Sequence, residues 1–320
     1  MKKLADALRH HRDIMLIAHI SPDGDALGTT LATRHALTQL GKRAVVVCED
    51  PVPSMYDFMP GADSVVAPDQ LPFVPDCALF MDVSSPDRAG RALAFVQQCD
   101  CILVLDHHAT NEGFGTINVI DGMASSTGEL ALNLIDELGV SIDKDIATLL
   151  YTAISTDTGN FSFSYTTPAA LRAVARCLEA GLNIDECSRR LFRLRSVPRT
   201  KLLGAGLSAM RCAEDGKIAY ICVTEKMMAD CGAASDDNEG LVNFPNETEG
   251  VQVGFLATER GSETKISLRS SGAINVAQIA FSMGGGGHER AAGLSLHMPI
   301  DQAVEKMIAV LRTALEATAS

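Results

Sequence analysis

Three short apolar runs, each ending on a potential metal ligand, constrain this chain more than any other feature. Residues 14–18 run into His19, residues 77–81 into Asp82 and residues 101–105 into Asp106. Continuous apolar runs without polar alternation mark strands buried on both faces, as in a parallel sheet covered by helices. Residues 44–48 form a further run of this kind. Helical signals fall between and after the runs. Residues 26–40 have helical spacing and stop at Gly41; Ser126-x-x-Glu129 is a capping box for a helix ending near Gly139. A helical pattern also runs from Asp145, and Thr167-Pro168 opens a helix that closes at Gly181. The alternation predicts a doubly wound α/β domain. In an open sheet of this class, ligand crevices form beyond the carboxyl ends of the strands, where His19, Asp82 and Asp106 fall.

The residues around those ends carry metal chemistry. His19-Ile20-Ser21-Pro22-Asp23-Gly24-Asp25 places three ligand types on a turn that Pro22 and Gly24 keep irregular. Alone, the segment reads equally as a polar turn, with Asp25 as N-cap of the next helix. Asp82 alone could equally cap a turn. Asp106-His107-His108, two histidines beside an aspartate at a strand end, is harder to explain as packing, and Asp157 adds another carboxylate after the helical pattern from Asp145. Their shared placement unites them. Clustered carboxylates repel one another, and bound divalent cations are the natural compensation. Imidazole with carboxylate suits Mn²⁺, Fe²⁺, Co²⁺ or Mg²⁺. Two such ions can activate a water and stabilise the attacking and leaving oxygens of phosphoryl displacement.

The texture changes after about Asp185. Residues 187–201 carry Arg189, Arg190, Arg193, Arg195, Arg199 and Lys201, read as a basic linker helix with a break at Val197-Pro198; the competing reading is a positive wall facing an interdomain cleft. Strands then dominate at 218–223, 251–258 and 265–269, with a loop at 236–248, a helix at 275–283 and a glycine run, Gly284 to Gly287, before His288. A strand near 292–297 and an amphipathic helix from Ile300 close the sequence. The domains expected are 1–185, a helical linker 186–210 and a smaller α/β domain 211–320.

Composition narrows the partners. The 320 residues include 27 Lys and Arg against 40 Asp and Glu, a formal net charge of -13. So acidic a chain should not bind long duplex nucleic acid through its overall field. The absence of Trp and the presence of only 4 Tyr argue against a long aromatic track for extended single strands. The nine cysteines include no Cys-x-x-Cys pair and read as small buried hydrophobes, not as a disulfide frame or zinc site. No signal-peptide core or membrane-length apolar run is present, so the cytoplasm is expected and no membrane partner.

With His19-x-x-x-Asp23-x-Asp25, Asp82, Asp106-His107-His108 and Asp157 in this order, the sequence resembles the DHH phosphoesterase superfamily. Gly284-Gly285-Gly286-Gly287-His288-x-x-Ala291-Ala292-Gly293 resembles the signature of the DHHA1 domain. The nearest subgroup is the bacterial nanoRNase and pAp-phosphatase type, often called NrnA. The resemblance implies an active site in the cleft between the two domains and two Mn²⁺ ions, with Mg²⁺ or Co²⁺ as substitutes. His19 and Asp23 would hold one ion, Asp25, His107 and Asp157 the other, and Asp82 would bridge them. His108 would face the scissile phosphate, with Asp106 as an orienting partner. Arg269, Ser270, Gly285, Gly286, Gly287 and His288 would bind the nucleotide end away from the cut.

The implied reaction is hydrolysis of very short RNA to 5′-mononucleotides by metal-activated water, with removal of the 3′-phosphate of pAp as a second activity. The competing substrates are pApA and a cyclic dinucleotide such as c-di-AMP. A reading from another class is a nucleotide-binding protein without turnover, against which the complete ligand set argues. A homodimer is the assembly that the family implies.

Overall fold

The computed structural model describes residues 1–319, in two compact units, Met1–Leu194 and Arg195–Ser320. The first unit runs α1 (Lys2–His10), β1 (Asp13–Ile17), α2 (Gly24–Gln39), β2 (Arg43–Val47), β3 (Cys77–Met81), α3 (Leu93–Val96), β4 (Cys101–Asp106), β5 (Ile117–Ile120), α4 (Thr127–Leu138), α5 (Lys144–Asp157), α6 (Pro168–Glu179) and α7 (Ile184–Ser188). Its strands form one sheet in the order β2-β1-β3-β4-β5, parallel throughout.

Successive residues of β1 serve opposite faces. Ile14 and Leu16 join the larger core beneath α1, α2, α4 and α5, whereas Met15 and Ile17 pack with Phe80, Val83 and Val96 on the other side. Both faces are covered, which accounts for runs that never alternate with polar residues. Local chemistry sets the helix ends. Ser126 Oγ accepts from Glu129 N at 3.2 Å, but the Glu129 carboxylate turns to Ser125 and Thr167 instead of completing the box on Ser126. Gly139 closes α4 with φ +76, a backbone that glycine adopts freely. Thr167 caps α6 by accepting from Ala170 N at 2.9 Å.

The start of α2 and the basic segment differ in detail from the sequence expectation. Asp23, not Asp25, is the N-cap of α2: its Oδ1 accepts from the N–H groups of Asp25 and Ala26. The basic segment does break, at residues 194–196, directly before Val197-Pro198. After α7 it forms a π-helical turn, Arg189–Arg193, and Val197 opens α8 (Val197–Ser208), with proline in the first turn where its missing N–H costs nothing. Arg189 and Arg190 pair with Glu186 and Arg193 pairs with Asp185, so local acids already balance these arginines.

The second unit continues with β6 (Arg211–Ala213), β7 (Ile218–Val223), α9 (Glu225–Cys231), α10 (Asn243–Asn246), β8 (Val253–Arg260), β9 (Glu263–Ser270), α11 (Val276–Ser282), β10 (Gly286–His288), β11 (Ala291–Leu296) and α12 (Ile300–Ala319). The sheet order is β10-β11-β9-β8-β7-β6, antiparallel except for β7 beside β8. One face packs on α11 and α12 and the other on Leu202, Leu241 and Val242. The expected loop at 236–248 contains α10 and a short 3₁₀ turn at Ser235–Asn238. No helix is long and apolar enough to cross a membrane, among the described residues.

Candidate metal centre

The carboxyl ends of β1, β3 and β4 and the last turn of α5 converge. His19 lies two residues beyond β1, Asp82 directly follows β3, Asp106 ends β4, and Asp157 ends α5. Their donor atoms form overlapping groups. His19, Asp23 and Asp82 make one, Asp25, His107 and Asp157 a second, and Asp82 also meets His107 and His108. His19 Nε2 is 3.7 Å from both Asp23 Oδ2 and Asp82 Oδ2. His107 Nε2 is 3.1 Å from Asp157 Oδ2, 3.7 Å from Asp82 Oδ1 and 3.8 Å from Asp25 Oδ2. Two donors each about 2.1 Å from a common ion are themselves about 3.0–3.4 Å apart, so these spacings are close to those of a coordination shell.

The supporting bonds aim the donors. His19 Nδ1 lies 2.8 Å from the Ile20 carbonyl and His107 Nδ1 lies 3.3 Å from that of Ala124. A carbonyl can only accept, so each Nδ1 that bonds to one carries the proton and each Nε2 presents its lone pair to the carboxylates. Arg88 Nη2 also sits 3.0 Å from His19 Nδ1; the carbonyl bond is the shorter and leaves the tautomer that suits a metal. Asp25 is buried against the start of α4, where its carboxylate accepts from Thr127 N at 2.7 Å and Gly128 N at 2.9 Å. The unpaired amides of a helix N-terminus favour negative charge there. Asp82 Oδ1 accepts from Thr127 Oγ1 at 2.9 Å.

His108 is oriented differently. Its Nδ1 lies 2.8 Å from Asp106 Oδ1, and its side chain is 40% exposed. Asp106, fully buried, is in turn held by Asn111 Nδ2 at 2.7 Å, which also donates to the Val83 carbonyl. The Asp106 bond is the first cause that pushes the His108 imidazole up, to about 9.

Electrostatics leaves the cluster short of positive charge. Burial first, and then the neighbouring carboxylates, raise Asp25, Asp82 and Asp157, the last to about 8. Asp157 Oδ2 is buried with no hydrogen-bond partner among the described residues, although His107 Nε2 is near. A divalent cation would satisfy that oxygen and relieve the repulsion, and a donor set of carboxylate and imidazole without sulfur suits a hard or borderline ion. The residues present fit such an ion.

Sequence reasoning missed Asn111, Arg88 and the Thr127 and Gly128 amides. The capping box marked where α4 begins, but nothing in it shows that those N–H groups meet a carboxylate 102 and 103 residues earlier in the chain.

In the second unit, Arg269 and Ser270 end β9. Arg269 has no carboxylate within ion-pair reach among the described residues, and burial shifts its guanidinium down. Ser270 Oγ is buried without a hydrogen-bond partner among the described residues. The glycine run is a tight turn feeding a strand, not a flexible loop. Gly285 N–H donates to the Ala280 carbonyl at 2.8 Å. A Cβ on Gly285 would come 2.3 Å from the Gly293 carbonyl oxygen, and one on Gly287 2.5 Å from that of Ala291. Gly286 has open space where its Cβ would be. The backbone of His288 belongs to β10; its side chain lies outside the described residues.

Residues 13–154 match the DHH family, N-terminal domain, and residues 215–317 match the DHHA1 domain. The "Bifunctional oligoribonuclease and PAP phosphatase NrnA" of Thermus thermophilus is 36% identical over 98% of this chain and 94% of its own. The protein of the same name from Bacillus subtilis is 23% identical over 89% of each. Among solved structures, an exopolyphosphatase-related protein from Bacteroides fragilis superposes with a TM-score of 0.90 at 28% identity, covering 99% of this chain and 96% of the other.

Proposed function

Because the chain belongs to the DHH family of phosphoesterases, with a DHHA1 domain in its second half, we propose that it hydrolyses very short oligoribonucleotides, of about two to five residues, to 5′-mononucleotides and also converts pAp to AMP. It is a metal-dependent phosphoesterase. One observation carries the reading: Asp82 belongs to two overlapping donor groups, one with His19 and Asp23 and one with His107 and His108, and His107 also belongs to a third with Asp25 and Asp157, whose Oδ2 is buried without a hydrogen-bond partner among the described residues.

His19, Asp23 and Asp82 would hold one Mn²⁺ ion, and Asp25, His107, Asp157 and Asp82 the other. Such ions, when bound, supply water activation and charge neutralisation at phosphorus. The chain's own groups do the rest. The α4 amides fix the Asp25 carboxylate in direction and oppose the rise that burial and its neighbours impose on it. Asp106 raises the His108 imidazole to about 9 and so favours the imidazolium, in which Nε2 as well as Nδ1 carries a proton and can donate to a non-bridging phosphate oxygen. In the second unit, Arg269, with no carboxylate partner among the described residues, and Ser270, whose hydroxyl has no hydrogen-bond partner among them, suit the terminal phosphate or sugar of a short substrate. The NrnA names of the relatives support this substrate class.

The test is a substrate panel of pAp, pApA, c-di-AMP and RNA of graded length, each with Mn²⁺ and with EDTA. Short RNA and pAp should be cleaved only with metal, and cleavage should slow steeply as RNA lengthens. Equal rates on short and long RNA would remove the short-substrate reading. Preference for pApA or c-di-AMP would reassign the substrate while leaving the chemistry in place.

A further inference from the structure

At the other edge of the first unit's sheet, three side chains outside the carboxylate cluster come together. Cys77 and Cys101 are the first residues of β3 and β4 and stand opposite one another in the parallel register. His11 lies in the link between α1 and β1. One ligand atom from each lies within 4.8 Å of the others. We propose that His11, Cys77 and Cys101 form a second metal site, for a thiophilic divalent cation of the zinc class.

The donors decide the class. Two thiols and an imidazole are soft to borderline ligands, unlike the oxygen-rich set at the opposite edge. Zinc bonds of about 2.3 Å to sulfur and about 2.0–2.1 Å to nitrogen require donors about 3.5–3.8 Å apart, which the observed grouping accommodates. Three protein ligands leave a fourth position open. Asp76 stands beside it: its Oδ1 is 3.6 Å from His11 Nδ1, and the N–H groups of Arg12 and Asp13 fix its carboxylate.

Cys77 is fully buried on a central strand, whereas His11 and Cys101 are half-buried and open a path from solvent. The thiolate, not the thiol, is the metal ligand, and a cation beside a thiol favours its ionisation. Binding therefore exchanges protons for metal: M²⁺ forms two metal–sulfur bonds, each thiol releases one proton, and the imidazole binds neutral. Five residues separate Cys77 from Asp82, about 16 Å at ~3.3 Å per residue, so one ion cannot serve both places. No Cys-x-x-Cys spacing announces the site because strand register, not sequence proximity, brings the thiols together.

Cobalt(II) titration of the reduced, full-length protein tests this. The carboxylate cluster can also take Co²⁺, but it has no sulfur and cannot give a thiolate-to-cobalt charge-transfer band. The expected result is such a band, displaced by Zn²⁺ and persisting in Asp82→Ala. Cys77→Ser and Cys101→Ser should each abolish it. His11→Ala, at a half-buried position, should weaken binding by on the order of tenfold or more. Absence of the band in the reduced wild type, or its survival in both serine variants, overturns the proposal. Should the serine variants fail to fold, as circular dichroism would show, an unchanged Co²⁺ affinity in His11→Ala overturns it. No readout depends on phosphoesterase activity, so failure here and failure of the proposed function are distinguishable.

Discussion

Asp82 combines two demands at one residue. Its carboxylate is shared between the donor groups, and its backbone has φ 61, a left-handed conformation uncommon for residues other than glycine, asparagine and aspartate. The hydrogen bond from Asp82 N to the Leu105 carbonyl holds that turn at 3.0 Å. Strain of this kind is found where surrounding structure fixes a functional group. Asp82→Ala and Asp82→Gly should therefore both lower metal-dependent kcat/KM by at least about a hundredfold, but Asp82→Gly should be the more stable by about 1 kcal/mol, because glycine adopts positive φ freely. Denaturant midpoints of the two variants check the second half of that expectation. Asn111→Ala should lower activity by about ten- to a hundredfold through the Asp106–His108 pair, with metal affinity nearly unchanged; a loss of metal binding equal to the loss of rate would contradict it. The ligand candidates were legible because each follows a strand end or a helix pattern that the sequence marks locally. Asn111 was not, because an asparagine in a polar turn looks ordinary until the fold sets it against buried Asp106.

Elements meet closely where glycine permits it. A Cβ on Gly28 of α2 would lie 2.5 Å from the Leu149 carbonyl oxygen of α5, a backbone atom that cannot swing aside. Gly28→Ala should destabilise the protein by about 1–3 kcal/mol through overpacking. Gly204 of α8 has no neighbour within 4 Å of its Cβ position, so Gly204→Ala should stabilise by about 0.4–1 kcal/mol. Thermal melts of the two variants should shift in opposite directions. The sequence showed the strands well because both-face burial writes itself into residue type. It showed helix starts less well. Asp23 and Asp25 are both good caps by chemistry, and only the packing of Asp25 on the α4 amides decides between them. β6 and α10 escaped notice because three and four residues are too few for a period to register.

For the whole molecule, the charge cluster couples stability to pH. An acid whose pKa is higher folded than unfolded holds more protons when folded, so stability falls as pH rises between the two values. Asp25, Asp82 and Asp157 are all raised, Asp157 to about 8. His108, raised to about 9, gives stability that is complete below the ordinary histidine value and lost as pH rises through 9. Asp106 is shifted down by His108 and Asn111 against the pull of burial, and its contribution is lost only in acid, below the ordinary carboxylate range. The metal-free protein should therefore become less stable from about pH 5 to about pH 9, as denaturant midpoints in EDTA would show; a flat or rising profile would count against the cluster's electrostatics. Mn²⁺ at a hundred times its Kd should restore about 2.7 kcal/mol, most visibly at the alkaline end. The second unit was legible as strands and a glycine signature, but the reason for Gly285 and Gly287, contact with β11, lies in strand pairing that spacing does not display. The order of the ligands along the chain has a consequence of its own. His19 comes first and Asp157 last, and both lie in the first compact unit, whereas Arg269 and Ser270 lie over a hundred positions later. Domains generally fold as they leave the ribosome, the amino-terminal one first. All six candidate ligands are thus synthesised before the ribosome has made the strand that carries Arg269 and Ser270.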